Sequence, residues 1–549
     1  MNIILDIETN KKFDKIWCVV TRNADTDEVN VWKEASGLQK FLDSCDLIIM
    51  HNGICFDRPV LQKNWNITMK KSQVFDTLVL SRLLNPSMEG GHSLHAWGER
   101  LGYPKIEFDD FDNGLTEEML TYCIQDTLVT RQLYLRLVTE FDKQGFDKRS
   151  LDLEFNVQHI IAQQEVNGFK LDERKAIELQ AELTDKLVNI EASLQSIFPT
   201  KTIERYSEKT GKRLTDKVEV FNPGSRKQIA ERLQEKGWKP SRFTEKGQPI
   251  VDETTLEGVD IPEAKAIAEY LMLQKRIAQI DSWLKAVAED GRVHGKVITN
   301  GAVTGRMTHH SPNMAQVPNT SAVYGAECRE LWTVEKGYKL VGIDASGLEL
   351  RMLAHYMNDD AYTNEVISGD VHTANQKAAG LETRNQAKTF IYAFLYGAGA
   401  EKIGKIVGGS KHTGQKLIDS FLKNTPSLQV LREKVSNTFR KDAKLPGLDG
   451  RKLLVRSEHS ALNTLLQGAG AIVMKQALVL LDDRLSSLGV DYKFVANVHD
   501  EWQIEVEEGF ADLVGKLGVK SIEDAGKVLK MQCPLTGEYR VGNTWKDTH

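Results

Sequence analysis

Leu340-Val-Gly-Ile343 followed by Asp344-Ala-Ser-Gly-Leu-Glu349-Leu-Arg351 is an apolar run that delivers a carboxylate at its end and a charged cluster just beyond. The pattern predicts a buried strand ending in a metal ligand. Two later segments give it meaning. Lys493-Phe-Val-Ala-Asn-Val498 and Glu501-Trp-Gln-Ile-Glu-Val506 alternate apolar and polar residues around His499-Asp500, which predicts a β-hairpin with Asp500 at its tight turn. Between them, Thr383 and Gln386 form a capping-box pattern and Gly397-Ala-Gly399 is a stop, so the residues between should be helical. Arg384, Lys388, Tyr392 and Tyr396 stand four apart, drift only about 40° per step and share one face.

These residue types suit an in-line displacement at phosphorus. Two divalent ions about 3.5–4 Å apart activate the attacking oxygen and neutralise the leaving pyrophosphate. Magnesium prefers carboxylate oxygens, which Asp344 and Asp500 supply from neighbouring strands, with the Ala345 carbonyl as a further donor. Arg384 and Lys388 suit phosphate oxygens, and Tyr392 and Tyr396 suit sugar and base. Taken singly, the same segments also fit a surface hairpin and an ordinary amphipathic helix.

A second acidic set lies near the N-terminus. Ile3-Ile4-Leu5 delivers Asp6-Ile-Glu8, Leu47-Ile-Ile-Met50 leads to Asn52 and Asp57, and Tyr122 stands one helical turn before Asp126. Four carboxylates converging on two metals make a phosphodiester-hydrolysing centre, with Tyr122 placed to orient the attacking water.

In that order, Asp344-x-Ser-x-x-Glu349-Leu-Arg351, Arg384-x₃-Lys388-x₃-Tyr392-x₃-Tyr396-Gly397 and His499-Asp500-Glu501 resemble the three polymerase motifs of family A DNA polymerases. The wording, with Asn300-Gly-Ala-Val-Thr-Gly-Arg306, is closest to the replicative enzymes of short-tailed T-odd bacteriophages. The resemblance implies an RNase H-like DEDD exonuclease of the tyrosine variant followed by a right-hand polymerase, an α/β and α+β multidomain chain. Its catalytic residues would be Asp344, Asp500 and Glu501 in one site, and Asp6, Glu8, Asp57, Tyr122 and Asp126 in the other. The expected metal is Mg2+, two per site, with Mn2+ able to substitute. Glu349 would exclude a 2′-hydroxyl by packing against Tyr392, and His372 would touch the triphosphate. Arg306, Asn313, Gln316, Asn463, Gln467 and His499 would contact primer-template, checking minor-groove acceptors that every correct pair presents alike. The expected partners are primer-template DNA, deoxynucleotides and a phage helicase and primase, in the host bacterial cytoplasm.

The 549 residues carry a net charge of −6, with 71 Lys+Arg against 77 Asp+Glu, so any DNA-binding surface must be local. Lys201 to Lys217 is a candidate. Six cysteines without a CxxC argue against structural zinc and disulfides, and no signal core, membrane span or 5′→3′ exonuclease segment is expected. Pattern changes divide the chain into an exonuclease at 1–148, a thumb at 149–290, palm at 291–357, fingers at 358–444 and palm again at 445–549. The best-known phage relatives carry a long thumb insertion that docks host thioredoxin. Here the thumb helices are expected to be joined only by about Phe198 to Phe221, too short for such a subdomain. Two other readings are a protein in which only the exonuclease works and a palm enzyme making RNA. The intact aspartates oppose the first, and Glu349 the second.

Overall fold

Alternation along Asn2–Thr9 sets the architecture of the first part of the chain. Neighbouring side chains of a strand leave on opposite faces, so Ile3, Leu5 and Ile7 enter one buried cluster and Ile4 another. Asp6 and Glu8 therefore fall on the Ile4 face. The computed structural model describes residues 1–549, and in it this strand is the centre of a five-stranded sheet. The order is Val29–Trp32, Ile16–Asn23, Asn2–Thr9, Leu47–Met50, Val74–Asp76. Asn2–Thr9 is antiparallel to Ile16–Asn23 and parallel to Leu47–Met50. Helix Glu117–Lys143 covers the Ile4 face, packing Val129 and Leu133 there. Thr116 caps it by accepting from the Met119 amide at 3.1 Å.

Helix Lys148–Asn167 opens the segment expected to be thumb, yet it packs elsewhere. Leu153, Val157, Ile160 and Ile161 enter the large core that also holds the second half of the chain, while Phe155 and Ala162 lie against the exonuclease sheet. A helix apolar on two faces needs two partners. Glu154, wholly buried, accepts from Lys475 Nζ and pairs with Arg451 Nη1, both at 2.7 Å, and Arg451 in turn pairs with Asp449. Removing one partner of such a set strands the others and costs about 3–5 kcal/mol.

The two long helices expected in the thumb are Glu173–Ile197 and Pro262–Ala286. The connection between them is longer than the sequence reading allowed, running from Phe198 to Ile261. It folds as a hairpin, Lys201–Tyr206 with Arg213–Glu219, followed by helices Arg226–Glu235 and Glu253–Glu257. Phe198, Phe221, Ile229, Leu233 and Leu256 give it a core of its own against Ile267 and Tyr270. Phe221 was read as the end of the linker; it is the centre of this small unit.

The second half of the chain is built on a four-stranded antiparallel sheet ordered Tyr492–Val498, Glu501–Glu507, Tyr338–Ala345, Gly537–Gly542. Helices Ala461–Leu488 and Ala511–Val528 pack behind it. Gly518 is needed there, because a Cβ would lie 2.2 Å from Ile343 Cδ1. Helix-rich chain from Asp360 to Asp442 rises from this base and shares its core. One helical stretch, Glu458–Leu488, is long and apolar enough to cross a membrane, but 78% of its most apolar window is buried inside the protein. It is the core helix of the palm.

Candidate active sites

The hairpin turn carries the polymerase-side carboxylates. Val498 pairs with Glu501, leaving His499 and Asp500 as a two-residue turn in which His499 takes a positive φ of 56°. Asp344 lies opposite Glu501 on the adjacent strand, and the Ala345 amide donates to the Asp500 carbonyl at 3.1 Å. The two aspartates are thus fixed beside each other by backbone. Burial, then repulsion from Asp500 and Glu501, pushes the Asp344 carboxyl up to about 7. Burial also raises Asp500. Such a pair is short of cationic charge, and its donors are hard oxygens, which fit a divalent ion.

Across the cleft, the predicted helix is present as Arg384–Leu395, with Thr383 and Gln386 closing the capping box. Lys388 is exposed, and with Arg384 it holds the nearby His372 imidazole down, although burial contributes most. Arg384 Nε donates to Asp370 Oδ2 at 2.8 Å. Glu349, in the first turn of helix Leu348–Met357, accepts from the Tyr396 hydroxyl and from Arg306 Nη2 at 3.4 Å. The hydroxyl that bonds it is that of Tyr396, the next tyrosine along the face from Tyr392, whose own hydroxyl still feels the Glu349 charge.

In the N-terminal unit, Asp6 and Glu8 leave one strand on one face, Asp57 opens helix Asp57–Trp65, and Asp126 comes from the covering helix. Burial is the chief cause that raises all four, and repulsion from Asp6 adds to it at Glu8 and Asp57. Asp57 Oδ1 and Asp126 Oδ1 are buried without a hydrogen-bond partner. Orphaned oxygens in an oxygen-donor cluster fit a divalent ion. The adjoining cleft is about 600 Å³ and is lined by Asp6, Asn52, Arg82, Lys105, Asp126 and, from the polymerase half, Asn300.

A profile of DNA polymerase family A matches residues 196–547, and one of a 3′-5′ exonuclease matches residues 7–142. The chain belongs to DNA polymerase family A. It is 35% identical to the DNA-directed DNA polymerases of Enterobacteria phage T3 and Escherichia phage T7, each alignment covering all of both chains. Those alignments run over 704 positions, so at least 155 of them have no counterpart among the 549 residues here. DNA polymerase I of Aquifex aeolicus is 29% identical over 86% of this chain and 84% of its own. The structure of the POL domain of Pol1 from M. smegmatis, in complex with DNA primer-template and dNTP, superposes with a TM-score of 0.83 at 20% identity, covering 100% of this chain and 95% of that one. The protein is a DNA-directed DNA polymerase with a 3′-5′ exonuclease domain, and its family uses divalent metal ions.

In this family A polymerase the expected DNA-contacting residues divide by position. Gln316 and His499 line a cleft of about 560 Å³ with Asp344 and Asp500, and Arg306 and His499 border the smaller pocket behind Asp500. Asn313 spends its Oδ1 on the Ala315 amide, capping a short turn at 3.1 Å. Asn463 and Gln467 bond each other at 2.9 Å on the long palm helix and line neither cavity. Glu501 is engaged through both oxygens. Its Oε1 accepts from Trp545 and Gln503, each at 2.6 Å, and its Oε2 meets His549 Nδ1 at 2.8 Å. Burial would raise it, yet His549, Arg329 and Trp545 hold it below the usual range. The sequence reading missed Gln279 of the thumb helix, His549 and Lys105, all of which line the clefts. None sits in a recognisable spacing.

Proposed function

We propose that the polymerase adds deoxynucleotides to a primer at Asp344 and Asp500 and trims mispaired 3′ ends at Asp6, Glu8, Asp57 and Asp126. The observation that supports it most is the hairpin turn that sets Asp500 against Ala345 and Asp344. Mg2+, two ions per site with Mn2+ as a substitute, would be held by Asp344, the Ala345 carbonyl and Asp500, and by the four exonuclease carboxylates. Such ions supply charge neutralisation at the reacting phosphate and lower the pKa of the attacking oxygen.

The chain's own residues do the rest. Lys388 and Arg384 form the cationic wall for a triphosphate, with the neutral His372 imidazole beside them as a hydrogen-bonding group and Arg384 exchanging its Asp370 partner for phosphate. Tyr396 and Arg306 both bond Oε1 of Glu349 and hold its carboxylate at the sugar side, in the space a 2′-hydroxyl would need. Arg306, Gln316 and His499 face the primer-template beside the aspartates, and Asn313, Asn463 and Gln467 lie along its path. Glu501 acts as a positioning residue, tying the hairpin to the C-terminal segment. Tyr122 orients the water in the exonuclease. The proposed divisions are exonuclease to residue 148, thumb to 290, and palm split at 291–357 and 445–549 around fingers at 358–444, with helix Lys148–Asn167 as the bridge. The proposed partners are a phage helicase and primase acting alongside it in the host bacterial cytoplasm. Primer extension with deoxynucleotides, ribonucleotides and Mg2+ tests this reading. Extension with deoxynucleotides alone, lost in Asp500→Asn, is expected; equal use of ribonucleotides contradicts the role given to Glu349.

A further inference from the structure

The exonuclease cleft holds a cation that four carboxylates and a tyrosine leave unexplained. Lys105 lies in the stretch between helix Leu94–Leu101 and helix Glu117–Lys143, with its side chain 18% exposed. Its Nζ donates to Tyr122 Oη at 2.7 Å and contacts Asp126 Oδ2 at 2.6 Å. It also stands 4.6 Å from the centre of the Tyr122 ring. Phe108 and Phe111, from the same stretch, pack on that ring with centroids at 5.6 and 6.0 Å.

Two consequences follow from counting donors and acceptors. Asp126 divides its oxygens: Oδ2 is taken by Lys105, while Oδ1 is buried without a partner and open to a metal ion. Lys105 and a divalent ion can therefore share this carboxylate. A phenol has one proton and accepts through the same oxygen. Because Tyr122 accepts from an ammonium, which only donates, its own proton must point away from Lys105 and is free for another acceptor.

We propose that Lys105 is a positioning residue of the exonuclease, holding Tyr122 with its hydroxyl proton free for the attacking water and Asp126 with one oxygen free. This rests on the exonuclease reading above. The test uses the full chain carrying Lys105→Met, Lys105→Arg, Tyr122→Phe and the Lys105→Met/Tyr122→Phe double variant. Excision from a labelled single-stranded oligonucleotide is followed over a range of DNA concentrations, with primer extension as the folding control. K105M is expected to lower the maximal excision rate roughly 10–100-fold, the scale seen when a residue orienting a site group is removed, with half-saturation and extension unchanged. K105R should recover part of the loss. The double variant should lose less than the product of the two single losses, because the part of the Lys105 effect that runs through Tyr122 is already gone in Y122F. Wild-type excision by K105M, a loss confined to half-saturation, or full additivity with Y122F would each overturn the proposal. Failure of the exonuclease reading is distinguishable, since wild-type protein would then not excise, or would excise as well after Asp6→Ala with Glu8→Ala.

Discussion

Tyr392 packs its ring 6.2 Å from His372 while the hydrogen bonds to Glu349 come from Tyr396 and Arg306. Its hydroxyl is therefore available to an incoming nucleotide, and it can stand in for the contact a missing 3′-hydroxyl would make. A hydrogen bond is worth about 1 kcal/mol net, so Tyr392→Phe should sharpen discrimination against dideoxynucleotides about fivefold while sparing normal extension. Unchanged terminator use in a competition assay would show the hydroxyl is idle. Asp344 supplies a second expectation. A carboxyl raised to about 7 by burial and its acidic neighbours holds a proton below that pH, and a metal ion must displace it. The Mg2+ concentration for half-maximal extension should therefore rise as pH falls through about 7, and stay flat above it. A half-saturation constant independent of pH between 6 and 8 would contradict this. Residue-level features were legible where spacing alone creates them. Asp6 and Glu8 share a face because strands alternate, and Asp500 sits at its turn because the flanking runs pair. Which of two tyrosines on one helical face meets Glu349, or that Glu501 is spent on Trp545, Gln503 and His549, depends on packing between distant segments.

At the scale of elements, the thumb departs furthest from expectation. The hairpin and the small core behind it were hidden because their apolar residues, Phe198, Phe221, Ile229 and Leu256, come from four short segments with no common period. Within the hairpin the basic residues are not equivalent. Arg213 pairs with Glu204 and Asp216, and Lys217 pairs with Glu219. Lys209 and Lys212, exposed around the turn, are in no ion pair. Each phosphate neutralised steepens the salt dependence of DNA binding by roughly 0.9 in log–log slope. Replacing Lys209, Lys212, Arg213 and Lys217 with alanine should shorten extension products and flatten the slope, with Lys209 and Lys212 carrying most of the change. An unchanged slope would mean that this unit does not track the duplex.

For the whole molecule, two centres on one rigid base have to share one primer end. Asn300 Nδ2 bonds the Arg82 carbonyl across the junction at 3.3 Å, and helix Lys148–Asn167 is locked to the palm by Glu154, Arg451 and Lys475. With the bodies fixed, the DNA must move. Unpairing three matched base pairs costs on the order of 4 kcal/mol at about 1.4 kcal/mol per step, and a mismatched end costs less. Mismatched duplex ends should accordingly be excised faster than matched ones, and equal rates at several enzyme concentrations would contradict that partition. The separation of the sites is tested most directly by assaying extension and single-strand excision on the same preparations of three proteins: wild type, Asp344→Asn with Asp500→Asn, and Asp6→Ala with Glu8→Ala. The palm variant should lose extension and keep excision, and the exonuclease variant should do the reverse. Loss of both activities from either pair of changes, in protein that remains folded, would contradict two independent centres.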